Sequence, residues 1–321
     1  MHAALSVIVF TVLSGAGLGA FAIVAADDLC RAFIARIDPS LPWTVAGSVA
    51  LVLVVAGLCA STLHLANPKN AWRSATRFRT SWLSREAVFA LLFVGVAIAY
   101  LALRWTGVGG VPRAVVALLS LLLAWTVIHC TAMIYASLKP IRAWHTPRVP
   151  LNYLLLAHAS GVVVLVAVLR IQGIGSTTLQ AIAIALVVAA ALAKWDYRRY
   201  LAGDTARVTL EAALGVAQGV RPAGAPATVA ARLLDVGHSR GTFLTREFGV
   251  TPTPRNRAVA LWAMALGTYA IPLAWLASGV RSPAMAVGAC IVMLAGLFAE
   301  RWLFFVEARH TVRLYHGEHR V

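Results

Sequence analysis

Eight apolar stretches of about 20 residues each recur along the chain, and they constrain its fold more than any other feature. A transmembrane helix needs roughly 20 mostly apolar residues, because each residue rises about 1.5 Å across a hydrocarbon core of about 30 Å. The stretches lie near residues 6–26, 43–63, 86–103, 114–135, 151–169, 176–195, 258–279 and 283–304. The sequence therefore predicts an all-α polytopic membrane protein with eight transmembrane helices.

The composition agrees with this fold class. Hydrophobic residues make up 60% of the chain and charged residues 12%, whereas a soluble domain carries about 25% charged residues. The first stretch is preceded by no Lys or Arg, and it is longer than the apolar core of a secretory signal. We therefore expect it to be a retained helix.

The distribution of basic residues predicts the orientation. An even number of spans places both termini on one face, and that face also carries the connections after spans 2, 4 and 6 and most of the 28 Lys and Arg residues. The positive-inside rule then places both termini in the cytoplasm and the chain in the inner membrane. The net charge of +16 is thus a topology signal, and we expect no nucleic-acid partner.

Two loop segments resemble each other and suggest an internal duplication. They are residues 79–86, with the sequence RTSWLSRE, and residues 240–247, with the sequence RGTFLTRE. We interpret the chain as two parallel four-helix halves related by an axis along the membrane normal. Chance similarity of eight residues is the alternative. The predicted division is 1–135 for the first half, 136–150 for a cytoplasmic loop, and 151–321 for the second half with a large loop at 196–257.

Several kinds of chemistry are not encoded. The four cysteines are scattered without a C-x-x-C pair, so we expect neither an iron–sulfur cluster nor another metal site in this chain. No phosphate-binding glycine motif is present. The carboxylates fall in loops or near the ends of the predicted spans, whereas ion-coupled transporters keep ionisable residues deep in the membrane. This disfavours a transporter.

His64 and Glu86 are the first candidate pair, at the adjacent ends of spans 2 and 3. A structural account is that Ser84 caps the third helix and Glu86 in its first turn interacts with the helix dipole. A functional account is that a His and a carboxylate at interface depth, both within reach of water, exchange protons with a quinone headgroup. The sequence leaves both accounts open.

His129 and His158 form the second candidate pair, at similar depth on the neighbouring spans 4 and 5. Three roles are open for them: polar hydrogen bonds between helices, a contribution to a quinone pocket, or axial ligation of a b-type haem.

Four motifs in register resemble the membrane-anchor subunit family of dimethyl sulfoxide reductase-type molybdoenzymes. They are STLHLANPKNAWR, RTSWLSRE, WHTPRVPLNYLLL and HSRGTFLTREFG. The resemblance implies an anchor without haem or metal that exchanges electrons between a membrane quinone (ubiquinone or menaquinone) and a four-cluster iron–sulfur subunit. That subunit serves a molybdenum-bis(pyranopterin) catalytic subunit, so this chain would not perform the molybdenum chemistry. A related branch of similar anchors serves sulfite dehydrogenases.

The resemblance assigns quinol binding to His64 and Glu86, and we expect Arg85 and Trp82 to shape the mouth of that site. The basic loops predict a docking surface for the iron–sulfur subunit, with Arg73, Arg77, Arg79, Arg240 and Arg246 as its contacts.

The direction of electron flow is not readable from these motifs. A cytoplasmic motif face favours a cytoplasmic sulfite dehydrogenase that reduces quinone. The alternatives are an anchor of a terminal reductase that oxidises quinol, a haem b quinol oxidoreductase subunit and a transporter.

Overall fold

The computed structural model describes residues 4–33, 42–63, 72, 76–203, 208–213, 251–316, 318, 320 and 321. Within these residues, eight helices are long and apolar enough to cross a membrane. They are α1 (Leu5–Phe33), α2 (Trp43–Thr62), α3 (Trp82–Trp105), α4 (Gly110–Ala136), α5 (Arg148–Ile171), α6 (Thr177–Ala202), α7 (Pro254–Ser278) and α8 (Pro283–Val306). The predicted eight-helix, all-α membrane fold is confirmed.

Helices α1 and α5 form the centre of the bundle, and most of their residues are buried. Their backbones approach closely because glycine lies at the crossing: a Cβ on Gly161 would stand 2.2 Å from the backbone nitrogen of Ala20, and one on Gly19 would stand 1.9 Å from the carbonyl oxygen of Ala157. Such small-residue contacts are how helices associate closely in lipid. In contrast, α2 and α6 lie outside, and most of their residues are exposed or only partly buried.

The helices pack in a similar way in each half of the chain. In the first half α1 contacts α2 and α4, and α3 contacts α4. In the second half α5 contacts α6 and α8, and α7 contacts α8. The duplication itself stays a prediction, because the second repeat segment, residues 240–247, lies outside the described residues.

Helix α7 contains a π-helical stretch at Met264–Ala270, just before Pro272. Proline supplies no amide hydrogen, so the regular hydrogen-bond ladder is interrupted there. Gly267 in this stretch packs directly on Gly296 of α8, whose Cα would lie 2.9 Å from an added Cβ. The π-helical stretch therefore lies where α7 contacts α8.

We call the face with both termini the terminal face and the other the distal face. At the distal face a buried Asp28 at the end of α1 holds three side chains from α3 and α4. Arg104 and Arg113 each lie 3.0 Å from its carboxylate, and the Tyr100 hydroxyl donates to it at 3.2 Å. These contacts join α1, α3 and α4 at the distal face. The candidate functional residues lie towards the opposite, terminal face.

Candidate functional site

The N-cap of helix α3 lies three residues earlier than the predicted cap at Ser84. This cap is Ser81, which has an extended backbone and whose hydroxyl accepts the amide hydrogen of Ser84 at 3.4 Å. The expectation that Ser84 caps this helix is therefore wrong, and no acidic residue lies in the first turn of α3. The structural account placed Glu86 in the first turn of this helix. Because Glu86 is not in that turn, the account does not apply.

The Glu86 side chain instead faces the interior of the bundle and is 4% exposed. Its carboxylate accepts a hydrogen bond from the hydroxyl of Thr131, near the end of α4. The same hydroxyl lies 3.0 Å from the carbonyl oxygen of Val127. A hydroxyl has one hydrogen and two lone pairs, so Thr131 can donate to an ionised Glu86, or accept from a protonated Glu86 while donating to Val127. The pair fits both charge states of the carboxyl.

An aromatic layer lies next to this buried pair. The ring of Trp82, one helical turn before Glu86, meets the exposed ring of His129 edge-on at 5.8 Å. The Arg85 guanidinium lies 4.3 Å from the centre of the Trp82 ring. Arg85 also donates to the carbonyl oxygens of Phe78 at 3.0 Å and of Arg79 at 2.8 Å, and so fastens the preceding loop to the start of α3.

The structure thus brings together Trp82, Arg85 and Glu86 with His129 and Thr131 from α4. The sequence had placed the site between spans 2 and 3, but within the described residues the partner of Glu86 comes from α4. His64 lies outside the described residues, and its part in the site stays a prediction. The expectation that water reaches Glu86 directly is wrong, because its side chain is buried.

Among the described residues, the rings of His158 and His129 have different partners. The Nε2 of His158 accepts a hydrogen bond from the Trp125 indole at 3.0 Å, and its Nδ1 lies 2.8 Å from the carbonyl oxygen of Leu154. Both ring nitrogens are therefore engaged within α4 and α5, and neither has a lone pair free for iron. Of the three roles open to His158, the geometry favours the hydrogen bond between helices.

Of the predicted docking arginines, Arg77 and Arg79 are described, and both are exposed on the terminal face. Arg73, Arg240 and Arg246 lie outside the described residues, so their role stays a prediction.

Sequence reasoning missed a buried charged cluster beside α5. The carboxylate of Glu300 on α8 accepts from Lys194 on α6 and from its neighbour Arg301. All three side chains are buried. The Arg301 guanidinium also lies 4.2 Å from the centre of the Tyr153 ring on α5. The cluster therefore joins α5, α6 and α8 on the terminal side of the bundle.

The fold and site define a class: a polytopic helical membrane subunit with a buried carboxyl–hydroxyl pair between α3 and α4, one helical turn from a Trp–His ring contact, near a face with exposed arginines. A family model described as DMSO reductase anchor subunit (DmsC) matches residues 1–306. A relative, a sulfite dehydrogenase subunit from Allochromatium vinosum, is 32% identical, with 98% of this chain and 99% of the relative covered. The chain belongs to the family of DMSO reductase anchor subunits, and the resemblance seen in its motifs is confirmed.

Proposed function

We propose that this chain is the quinone-reactive membrane anchor of a molybdoenzyme complex, and that it mediates electron exchange between the quinone pool and a four-cluster iron–sulfur subunit. The molybdenum-bis(pyranopterin) group belongs to a separate catalytic subunit. Membership of the anchor family supports the partners. The observation that carries the quinone site is the buried Glu86–Thr131 pair, one helical turn from the contact between the rings of Trp82 and His129.

The donor set fits a quinone headgroup. Quinone reduction takes up two electrons and two protons, so a site for it needs a group that gives and receives protons. Glu86 is such a group, and Thr131 can hydrogen-bond to either of its charge states. The Trp82 ring and the exposed His129 ring offer flat apolar and polar surface to a ring arriving from lipid. Ubiquinone and menaquinone share the two ring carbonyls that such a site would bind.

Each residue then has a separate task. Glu86 exchanges the proton, and Thr131 orients its carboxyl. Arg85 fixes the loop at the mouth of the site through the carbonyls of Phe78 and Arg79, and it stacks on Trp82. His64, at the end of the second span in the sequence, is the second proposed proton carrier.

We place this anchor in a sulfite dehydrogenase, in which electrons flow towards quinone. Two observations support this choice: the relative is a sulfite dehydrogenase subunit, and the basic loops favour a cytoplasmic terminal face. The alternative is a terminal reductase that oxidises quinol, which the family description allows. Purified complex that reduces quinone with sulfite as electron donor would support the first; complex that only oxidises quinol would favour the second.

The test of the quinone site compares two activities in membranes that contain the whole complex. One is substrate turnover with a soluble dye, which bypasses the quinone; the other is turnover with a quinone analogue. Glu86→Gln keeps the shape and a hydrogen bond but removes the exchangeable proton. We expect dye-linked turnover to stay within about twofold and quinone-linked turnover to fall by roughly 100-fold or more.

Asp196→Asn is the control, because this carboxylate is exposed and pairs with Arg148 outside the site. It should leave both activities unchanged. If Glu86→Gln keeps quinone-linked turnover, the quinone binds elsewhere. If both activities fall together, Glu86 serves the structure.

The docking proposal has its own test. Exchanging Arg240 and Arg246 for glutamate should release the soluble subunits from the membrane, because arginine pairs with carboxylates through two parallel hydrogen bonds that glutamate cannot make. Arg281→Glu serves as the control, because this arginine is exposed in the connection between α7 and α8 on the distal face. Normal retention of the subunits in the double variant would contradict this surface.

A further inference from the structure

A large cavity lies at the terminal face, between the ends of α6, α7 and α8. Its volume is about 640 Å³, which lies within the range of small-molecule sites. Five arginines line it, and we call it the arginine pocket: Arg142, Arg198, Arg257, Arg309 and Arg320.

Hydrogen bonds between elements hold the walls of the arginine pocket in place. The hydroxyls of Tyr197 and Tyr200 on α6 donate to the carbonyl oxygens of Ala143 and Arg142, at 3.0 and 3.1 Å. The amide of Thr311, which also lines the pocket, donates to the connection between α4 and α5 at 3.0 Å. These bonds fix the backbone from which the arginine side chains extend.

The carboxylates of the pocket do not balance its arginines. Glu307 is the one acidic side chain among the described lining residues, and it already accepts hydrogen bonds from both Arg198 and Arg257. Even if a terminal carboxylate at Val321 is counted, five arginines face two carboxylates. The pocket therefore has an excess of positive charge.

The nearby parts of the chain do not remove this excess. The guanidinium of Arg309 lies 3.9 Å from Glu318, which is beyond hydrogen-bond distance. The connection between α6 and α7 is itself basic in the part that lies outside the described residues. That part contains Arg207, Arg221, Arg232, Arg240 and Arg246 against Asp204, Asp235 and Glu247. The pocket is therefore suited to an anion from outside this chain.

The arginine pocket lies at the depth of lipid headgroups. Arg198 stands close to the end of α6, Arg257 is in the first turn of α7, and Glu307 directly follows α8. One turn before Arg198, the exposed ring of Trp195 has the Arg199 guanidinium 4.7 Å from its centre. Tryptophan is enriched where a helix passes through the membrane interface, so its position indicates that depth.

The pocket also has an apolar side, formed by Leu201, Ala202, Pro252 and Val306. In the described part of the chain, α6 packs on the middle and the last turns of α7, whereas Pro254–Ala263 at the start of α7 packs on α8. The terminal ends of α6 and α7 thus diverge around the pocket. A ligand with an anionic head and apolar chains matches both sides, whereas an acidic protein segment matches only the arginines.

We propose that the arginine pocket binds the phosphate group of an anionic phospholipid, whose acyl chains lie between α6 and α7. Guanidinium groups bind phosphate through two parallel hydrogen bonds, and basic pockets between transmembrane helices bind anionic headgroups. Arg142 and Arg309 supply these bonds, while Arg198 and Arg257 stay with Glu307. Lipid binding at this pocket is independent of the quinone role proposed for Glu86.

The test titrates the full chain in detergent with phosphatidylglycerol and counts bound lipid by native mass spectrometry. The double variant Arg142→Gln with Arg309→Gln removes both proposed phosphate ligands and leaves the Glu307 contacts in place. We expect it to bind phosphatidylglycerol about tenfold more weakly or worse. Phosphatidylcholine, which carries no net charge, should bind weakly to both proteins.

The matched control is the double variant Arg199→Gln with Arg255→Gln. It removes the same charge from exposed positions on α6 and α7 that do not line the pocket. Phosphatidylglycerol binding should stay within about twofold, because isolated surface charges contribute little. A loss in this control equal to that in the pocket variant would overturn the site, because binding would then depend on overall charge.

Two further measurements identify the source of the anion. Inorganic phosphate that competes with phosphatidylglycerol at equal concentration would overturn the lipid site in favour of a free-anion site. The same titration is repeated with the assembled complex. If lipid binds to the chain alone but not to the complex, the pocket belongs to an acidic segment of a partner subunit, and the lipid site is overturned.

Arg142→Gln alone covers the case in which the double variant does not accumulate in the membrane. The Arg142 side chain is exposed and has no partner among the described residues, so the fold should not depend on it. We expect this variant to bind phosphatidylglycerol roughly threefold more weakly or worse, and the complex purified from membranes to retain less of this lipid. Unchanged binding and unchanged retention would overturn the proposal.

Discussion

The hydroxyl of Thr131 lies between the carboxylate of Glu86 and the carbonyl of Val127. This α4 side chain therefore connects Glu86 of α3 with the backbone of α4. Glu86 and Thr131 are 45 residues apart in the sequence. Because the hydroxyl can donate in either direction, the link survives a change in the charge of Glu86. This property is what a carboxyl that repeatedly gains and loses a proton requires.

The first prediction is that Glu86 and Thr131 act as one unit. Thr131→Val keeps the volume of the side chain but leaves the Glu86 carboxyl without its partner, so we expect quinone-linked turnover to fall by roughly tenfold. The double variant with Glu86→Gln should be no slower than Glu86→Gln alone, because residues that serve one step do not add. Turnover with a quinone analogue and with a dye measures this. Losses that multiply would show that Thr131 has a separate role.

The sequence predicted the helices well, because the spans depend on apolar length alone. The predicted spans 43–63 and 283–304 begin at the same residues as α2 and α8 and end within one or two residues of them. The prediction for α6 stopped at residue 195, whereas the helix continues to Ala202. Its last turns are polar and lie beyond the apolar stretch from which the prediction was made.

The site was only partly predictable. Glu86 was identified from its motif, but its partner Thr131 was not, because a contact between two helices has no signature in one sequence. The charged cluster was missed for a different reason. Lys194 and Glu300 lie near the ends of their spans, which suggests exposure, whereas the structure buries both by their position across the bundle. Depth along a helix does not predict burial between helices.

The second prediction concerns the sign of charge in that cluster. One anion, Glu300, holds two cations, Lys194 and Arg301. Glu300→Leu leaves two buried cations without a counter-charge, and removing one partner of a buried pair costs roughly 3–5 kcal/mol. Lys194→Met leaves a neutral pair of Glu300 and Arg301, so it should cost much less. The melting temperature of the detergent-solubilised complex checks the order, and equal losses would contradict it.

The third prediction concerns the centre of the bundle. Gly161→Ala places a Cβ 2.2 Å from the backbone nitrogen of Ala20, so α1 and α5 must move apart. We expect little assembled protein in the membrane, since overpacking typically costs about 1–3 kcal/mol. Gly15→Ala is the control on α1, because no atom lies within 4 Å of an added Cβ there. Membrane content by immunoblot measures both, and similar amounts would show that the crossing tolerates separation.

The last prediction is the orientation of the terminal face, on which the choice of a sulfite dehydrogenase partly depends. The C-terminal Val321 exchanges two backbone hydrogen bonds with Val208, at 2.8 and 3.0 Å, so the end of the chain is held at the terminal face beside the connection that follows α6. A reporter fused after Val321 should therefore report the side of that whole face.

We expect the fusion after Val321 to behave as cytoplasmic, because most basic residues lie in the loops of that face. A second fusion in the short connection between α5 and α6, after Gly173, should behave as periplasmic and serves as the internal control. With the Glu86 site and the partner subunits then on the cytoplasmic side, electrons and protons would meet there, and the complex would move little net charge across the membrane. A periplasmic signal from Val321 would reverse that conclusion and favour a reductase with exported soluble subunits.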